Sequence, residues 1–213
     1  MINHDNKYVF IQIPKTGSDS VCSTLLHSYN KSRNMLSQLK NTDIFGGLGH
    51  HCSIKKLINK TGNNFDNYFI FTFVRNPYDR LVSEYLYIPK YLDAGRTCLT
   101  VNEGYDSRSF KNKFPTFTHY VKSHPKIPFV SGHETSQKEL VDGRAFNFIG
   151  RFENIQEDFN YVCDKIGIER QQLQHRNKTT HKHYTEYYDE GTRQIVAEKY
   201  AKDIEYFGYK FGE

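Results

Sequence analysis

The chain has 213 residues and a formal net charge of +5 at pH 7, from 29 Lys and Arg against 24 Asp and Glu. Only 37% of the residues are hydrophobic, but 16 Phe and 16 Tyr supply much of the apolar surface, because aromatic rings bury more area than aliphatic side chains. These values predict one globular domain and exclude a collagen-like or disordered chain. The small basic excess forms no run, which favours a small anionic ligand over a nucleic-acid backbone.

The sequence also predicts a cellular compartment. No stretch approaches the ~20 apolar residues of a membrane-spanning helix, and no charged segment followed by an apolar one opens the chain. The cysteines lack C-x-x-C spacing, and a chain of this size does not need disulfides; they are Cys22, Cys52, Cys98 and Cys163. We therefore expect free thiols and a cytoplasmic protein without a membrane anchor.

Three short runs rich in Phe, Val and Ile predict strands, at residues 8–13, 68–74 and 146–149. The run 68–74 is too apolar for a half-exposed strand and suits a parallel sheet covered on both faces.

Helical patterns follow each predicted strand. Residues 18–29 have helical spacing, and Asn76-Pro77 opens a second helix with Pro at its first position. Further helices are expected to begin at the cap residues Ser53, Asn154 and Asp189, and residues 114–121 are also predicted helical. Residues 93–113 show no periodicity and are predicted to form a loop. The alternation predicts an α/β fold with a central parallel sheet.

The segment Ile13-Pro-Lys-Thr-Gly-Ser18 joins the first strand to the first helix and has the makings of a phosphate cradle. Gly17 lets backbone N–H groups approach an anion, the helix N-terminus adds partial positive charge, and Lys15 adds a full charge. The segment is not a Walker A loop, in which the lysine follows the second glycine. The alternative interpretation is an ordinary strand-to-helix turn.

A second segment, residues 73–83, places Arg75 at the end of a strand and Ser83 on the following helix. Pro77 and Ser83 are separated by about 9 Å of helix rise, so Arg75 and Ser83 can line one end of a groove above the sheet. Arg75 would hold a phosphate by a forked pair of bonds and Ser83 would add a hydroxyl. The alternative interpretation pairs Arg75 with an acidic neighbour such as Asp79.

Together, Ile-Pro-Lys-Thr-Gly-Ser and Phe-Val-Arg-Asn-Pro-Tyr-Asp-Arg-Leu-Val-Ser resemble the sulfotransferases that use 3'-phosphoadenosine 5'-phosphosulfate (PAPS). The match is to the branch that contains Golgi carbohydrate sulfotransferases and small bacterial relatives. Gly150-Arg-Phe-Glu-Asn154 and the tyrosine-rich stretch 184–189 are similar to later blocks of that branch. The resemblance implies a P-loop-like three-layer sandwich around a parallel sheet, with residues 1–213 as one sulfotransferase domain.

The resemblance also implies a donor site. Its 5'-phosphosulfate loop would comprise Lys15, Thr16, Gly17, Ser18 and Ser20, while Arg75 and Ser83 would hold the 3'-phosphate. The family usually has a small neutral residue where this chain has Asp19. A carboxylate would repel the donor, so either Asp19 turns outward or the donor sits differently here.

Sulfuryl transfer requires a base for the acceptor hydroxyl and positive charge on the leaving phosphate oxygen, and it requires no metal. We assign the first role to His51, which aligns with a histidine of the family, and the second to Lys15. Histidine's reference pKa of ~6.5 suits a base at neutral pH. Glu84 and His183 are the alternative bases, and His50 and His51 as solvated loop residues are the alternative interpretation.

The sequence therefore predicts a PAPS-dependent sulfotransferase that acts on a hydroxyl. Carbohydrate is the commonest acceptor of the family, and the variable region 93–145 is expected to shape the acceptor site. No metal and no nucleic-acid partner are expected. The alternatives are a nucleotide kinase or other P-loop phosphotransferase, and a non-catalytic anion- or nucleic-acid-binding module. The first would need a Walker A lysine and a magnesium-binding carboxylate, and the second leaves the paired phosphate segments unexplained.

Overall fold

The computed structural model describes residues 1–31, 42–43, 51–94, 106–123, 133, 135–174 and 182–213. The chain divides into two compact units, one of Met1–Arg75 with Gln137–Asn177 and one of Asn76–Ser136 with Lys178–Glu213. The helices of the described part are α1 (Ser18–Lys31), α2 (Ile54–Thr61), α3 (Pro77–Asp93), α4 (Ser107–Lys113), α5 (Phe117–Ser123), α6 (Gln137–Val141), α7 (Ile155–Ile166), α8 (Glu190–Lys199) and α9 (Ala201–Phe207). None of these helices is both long and apolar enough to cross a membrane.

The first unit is built on a five-stranded sheet with the spatial order β3-β1-β2-β4-β5. Its strands are β1 (Ile2–Asn3), β2 (Tyr8–Ile11), β3 (Thr42–Asp43), β4 (Phe69–Val74) and β5 (Phe148–Arg151). β4 pairs in parallel with both β2 and β5, whereas β1 pairs antiparallel with β2 and β3. The predicted α/β fold is confirmed, but the sheet is mixed, because β1 and β3 add an antiparallel edge that two-residue strands do not signal in the sequence.

The parallel register aligns the carboxyl ends of three strands. Ile11 pairs with Thr72, and Val74 pairs with Arg151. The chain leaves β4 at Arg75 and leaves β5 at Phe152, so these two residues emerge side by side. β5 begins two residues later than predicted. Just before it, the N–H of Asn147 donates to the Ile70 carbonyl at 2.8 Å, and the Asn147 side chain accepts from the Ile70 N–H at 2.7 Å.

Apolar side chains cover both faces of this sheet, because successive strand residues point to opposite sides. On one face the strand aromatics pack with α1 and α7, through Tyr8, Phe10, Phe71, Phe73, Val21, Leu25, Phe159 and Val162. On the other face the aliphatic residues pack with α2, through Val9, Ile11, Ile70, Ile54 and Leu57. Burial raises the pKa of the Cys163 thiol to about 11, so this thiol stays protonated in the core at neutral pH.

Two of the predicted helix starts differ in how they are capped. The Ser53 side chain accepts from the backbone N–H of Lys56 at 3.3 Å, as predicted for α2. Asn154 stands at the start of α7 but makes no side-chain cap bond, because a 3-10 turn over Phe152–Asn154 precedes the helix. The Asp158 carboxylate instead accepts from the backbone N–H of Arg151 at 2.6 Å, which fixes the exit from β5.

The second unit is helical and its core is aromatic. Asn76 caps α3 by accepting from the N–H of Tyr78 at 3.1 Å, with Pro77 in the first turn, as predicted. The core residues include Tyr78, Leu81, Val82, Phe110, Phe114, Phe117, Tyr120, Tyr184, Val196 and Tyr200. The side chain of Asp189 caps α8 through a reciprocal pair of bonds with Thr192.

Two predictions for this unit were wrong in their bounds. The helix expected to begin at Asp189 ends at Lys199, and α9 follows it. Tyr200 separates the two, because its φ of −107° and ψ of 24° leave the helical region. The predicted loop 93–113 contains α4, which Asp106 starts by accepting from the N–H of Ser109 at 2.7 Å. The rest of that prediction, residues 95–105, lies outside the described part of the chain.

Arg80 is a buried charge of the second unit, with 3% of its side chain exposed. Its Nη2 donates to the carbonyl oxygens of His133 at 2.7 Å and Thr135 at 3.0 Å. Its Nη1 lies 3.9 Å from the fully buried carboxylate of Asp203, which also accepts from the Ser136 hydroxyl. These bonds fix the segment of chain that leads to Gln137.

Gly150→Ala is expected to destabilise the first unit. An added Cβ would lie 2.6 Å from Cε1 of Phe73 and 3.1 Å from Cε1 of Phe148, and Phe73 is fully buried. Overpacking of this kind costs about 1–3 kcal/mol, which urea denaturation measures directly.

Gly191→Ala on α8 is the matched control. Its added Cβ would meet only Asp189 Oδ1, at 3.5 Å, and alanine is preferred over glycine in a helix. We expect unchanged or higher stability for this variant. A Gly150→Ala protein as stable as the control would contradict the close packing of β5 on Phe73.

Candidate functional site

The loop between β2 and α1 is tightly wound around a buried threonine. The Thr16 hydroxyl donates to the carbonyl oxygen of Ile13 at 2.9 Å, and Thr16 is fully buried. The residues on either side have a left-handed backbone conformation, with φ of +66° at Lys15 and +77° at Gly17. A lysine with positive φ is uncommon, and such a conformation persists only where its surroundings hold it.

Two separate constraints require glycine at position 17. Its φ is one that side chains rarely adopt, and a Cβ there would lie 2.5 Å from Cδ1 of Ile155 and 3.3 Å from the ring of Phe152. The loop is therefore pressed against the start of α7. The sequence explained Gly17 by approach to an anion alone, and the structure adds this packing reason.

The loop runs directly into the first turn of α1. The Gly17 carbonyl accepts from the N–H groups of Ser20 and Val21 at 3.0 and 3.2 Å. Ser18 and Ser20 are buried, whereas Asp19 is exposed. A helix of this length directs partial positive charge toward the loop. Residues 15–18 and 20, which the sequence assigned to the 5'-phosphosulfate, thus lie together in the loop after β2 and the first turn of α1.

The backbone of Arg75 is fixed by one buried side chain. The N–H of Arg75 donates to Oε1 of Gln137 at 2.9 Å, and Nε2 of Gln137 donates back to the Arg75 carbonyl at 2.8 Å. Gln137 has no exposed surface. Its side-chain amide therefore bonds the N–H and the carbonyl of Arg75 as the backbone of a neighbouring strand would, and it fixes the backbone one residue beyond β4.

The guanidinium of Arg75 contacts the loop between β2 and α1. Its Nη1 donates to the carbonyl oxygen of Lys15 at 3.1 Å. Its Cζ lies 3.9 Å from the centre of the Phe152 ring, so the cation rests on an aromatic face. Only 7% of Arg75 is exposed. The structure thus brings together Lys15, Gly17 and Arg75, which the sequence assigned to one site.

His51 is anchored at the end of β2. Its Nδ1 lies 3.0 Å from the carbonyl oxygen of Gln12, three residues before Lys15. A carbonyl only accepts, so Nδ1 carries the hydrogen, and the lone pair of a neutral ring is on Nε2. A half-buried histidine in this tautomer can take a proton at Nε2. His50 lies outside the described residues.

The remaining candidates belong to the second unit. Ser83 and Glu84 lie on α3 with 8% and 2% of their surface exposed. His183 is exposed, and its Nδ1 lies 2.8 Å from the Thr185 hydroxyl.

Sequence reasoning missed Gln137 and Phe152. Phe152 stands inside the block 150–154 that resembles the family, so the resemblance marked its position without giving it a role. Gln137 carries no local signal, because the backbone that it binds is 62 residues away along the chain.

Comparison with known proteins identifies the family of the chain. An uncharacterized protein of Archaeoglobus fulgidus is 30% identical over 113 residues, which cover 52% of this chain and 78% of that protein. A model of the sulfotransferase family matches residues 1–210, a range that contains every candidate residue described above. The chain therefore belongs to the sulfotransferase family.

Proposed function

We propose that the protein moves the sulfuryl group of PAPS to a hydroxyl acceptor, within a P-loop-like fold and with His51 as the base. The observation that carries this proposal is the 3.1 Å bond between Arg75 and the Lys15 carbonyl. It joins the loop after β2 to the buried arginine that directly follows β4, the neighbouring parallel strand. Membership of the family supports sulfuryl transfer in general.

Two anionic ends of the donor call for two separate positive regions. The loop of residues 15–20 offers a lysine and a helix N-terminus for the 5' end. Arg75 offers a planar fork suited to a phosphate, which a lysine would not reproduce. We assign it the 3'-phosphate, and we carry Ser83 as a further donor to that group on the resemblance alone.

In the proposed transfer step, residues of this chain accept the proton and stabilise the charge of the leaving group. The acceptor oxygen forms a bond to sulfur while the bond from sulfur to the 5'-phosphate oxygen breaks. The hydroxyl proton passes to Nε2 of His51, and the bonding electron pair stays on the phosphate oxygen. Lys15 then opposes the new negative charge on that oxygen. The products are a sulfate ester and adenosine 3',5'-bisphosphate.

A carbohydrate is our proposed acceptor, and the region 93–145 is our proposed acceptor-binding segment. The described parts of that region include α4, α5 and α6. An acceptor screen with radiolabelled donor tests this assignment. Transfer to small phenols or lipids, with none to sugars, would redirect it.

Adenosine 3',5'-bisphosphate should raise the melting temperature far more than ATP with magnesium or an oligonucleotide does. Equal stabilisation by ATP with magnesium would instead favour a phosphotransferase. Arg75→Ala should remove most of the bisphosphate effect, because the buried guanidinium is our candidate for the 3'-phosphate. Ser83→Ala should weaken it less, since a neutral hydroxyl bond is weaker than a charged one.

Arg170→Ala is the control for lost positive charge. Arg170 pairs with Asp164 at 2.6 Å and 63% of its side chain is exposed. It should leave the bisphosphate effect intact. A folded Arg75→Ala protein with wild-type affinity would remove Arg75 from the site.

Lys15→Ala is expected to lower kcat far more than it weakens donor binding. The charge of Lys15 matters most when the leaving oxygen becomes anionic, and interactions made only in the transition state act on kcat. Steady-state rates combined with calorimetric donor affinities separate the two effects.

Lys7→Ala is a close control for that variant, because Lys7 is an exposed lysine of the same unit with a positive φ, of 49°. Lys7→Ala also removes one positive charge and also places alanine at a positive φ, but at a site outside the loop. A Lys15→Ala enzyme that loses donor affinity and kcat in equal measure, or that behaves like Lys7→Ala, would argue against the leaving-group role.

His51→Ala should fold, bind adenosine 3',5'-bisphosphate, and lose about 10²–10⁴-fold in transfer rate. A base acts in its neutral form, so the wild-type rate should rise with pH through the histidine titration range. That rise should be missing from the residual activity of the variant. The measurement is rate against pH for both proteins with one confirmed acceptor.

His4→Ala provides the histidine control, since the exposed His4 contacts the Tyr68 hydroxyl at 2.7 Å. Its pH profile should match the wild type. A folded His51→Ala enzyme with near-normal turnover would pass the role of base to Glu84 or His183.

A further inference from the structure

We propose that Phe152 is a positioning residue that acts through Arg75. Its ring packs over the guanidinium and also packs at Gly17 on residues 15–20, which we call the donor loop. It thereby sets the affinity of the protein for the 3'-phosphate of its nucleotide. This inference rests on the proposed function and assigns a role to a residue that the sequence left without one.

The sheet topology places Arg75 between two segments. β4 lies between β2 and β5, and all three run parallel. The residue that follows β4 is therefore flanked by the loop after β2 and by the turn after β5. Arg75 contacts both, through the Lys15 carbonyl at 3.1 Å and the Phe152 ring at 3.9 Å.

The aromatic contact constrains the direction of the hydrogen bonds of Arg75. A guanidinium has five N–H donors in one plane. The Cζ atom of Arg75 lies 3.9 Å from the centre of the Phe152 ring, so the guanidinium packs over the ring and the aromatic contact uses none of its N–H donors. In this proposal the ring stabilises the cation and limits the positions that its donors can take.

The same ring also limits the donor loop. Its Cδ2 and Cε2 atoms lie 3.3 and 3.4 Å from the position of a Cβ on Gly17. The 3-10 turn over Phe152–Asn154 and the 2.6 Å bond from the Arg151 N–H to Asp158 hold the backbone behind it. A leucine in its place would fill part of the volume but would present no planar face.

The experiment compares two nucleotides on the wild type and on Phe152→Leu. Titration calorimetry should show that Phe152→Leu binds adenosine 3',5'-bisphosphate about 3- to 30-fold more weakly. Binding of adenosine 5'-monophosphate should weaken clearly less, since it lacks the group that Arg75 would hold and only the packing of the ring on the loop at Gly17 bears on its 5'-phosphate. Phe152→Tyr, which keeps the ring face, should restore most of the bisphosphate affinity.

Phe148→Leu is the matched control. Phe148 is half-buried like Phe152, but it begins β5 and packs on Tyr161 at 4.7 Å. It lies four residues, about 13 Å of strand, from Phe152. It should leave the ratio of the two affinities unchanged. If Phe152→Leu is too unstable to measure, Phe152→Met removes the ring face with an unbranched side chain and gives the same test.

A double-mutant cycle decides whether the effect passes through Arg75. In an Arg75→Ala background, Phe152→Leu should cause no further loss of bisphosphate affinity. Additive losses, equal weakening of both nucleotides, or the same change from Phe148→Leu would overturn the inference. A wild-type protein that does not prefer the bisphosphate to the monophosphate would instead overturn the proposed function, before any variant is compared.

Discussion

The hydrogen bond from Arg75 Nη1 to the Lys15 carbonyl, at 3.1 Å, is the contact on which the candidate site depends. It ties the loop after β2 to the residue after β4. The carbonyl that accepts it belongs to a residue with φ of +66°, so the bond helps to hold a backbone conformation that a lysine would otherwise leave. A charged donor makes this bond stronger than one between neutral groups.

Burial of the Arg75 guanidinium has a free-energy cost that two of its contacts reduce. A desolvated guanidinium is destabilising unless polar or charged groups replace the lost water. The Lys15 carbonyl offers a dipole and the Phe152 ring a negative face. Gln137 meanwhile satisfies the backbone of the same residue.

Local signals in the sequence predicted much of the fold and the position of the loop between β2 and α1. The apolar run of β4, Pro77 at the start of α3, and the side-chain caps Ser53 and Asp189 all depend on neighbours within a few residues. The errors arise where distant residues decide. The side chain of Asn147 accepts from the N–H of Ile70, 77 residues away along the chain, and Asp158 accepts from the Arg151 N–H ahead of α7. Gln137 and Phe152 were missed for the same reason, because their partners are brought near only by the completed sheet.

The geometry of the candidate site follows from the register of three strands. β2 supplies the Lys15 loop and the carbonyl that fixes the His51 tautomer. β4 supplies Arg75, and β5 supplies Phe152 beside it. A slip of one residue in either parallel pairing would exchange the side chains of the two core faces, placing aromatic residues where aliphatic ones pack, so the hydrophobic core that fixes the register also fixes the site. Gly17 shows this link most directly, because its missing side chain lets the loop settle on Ile155 and Phe152. A loop that is held by packing on the core is preorganised, and less ordering then opposes the binding of an anion.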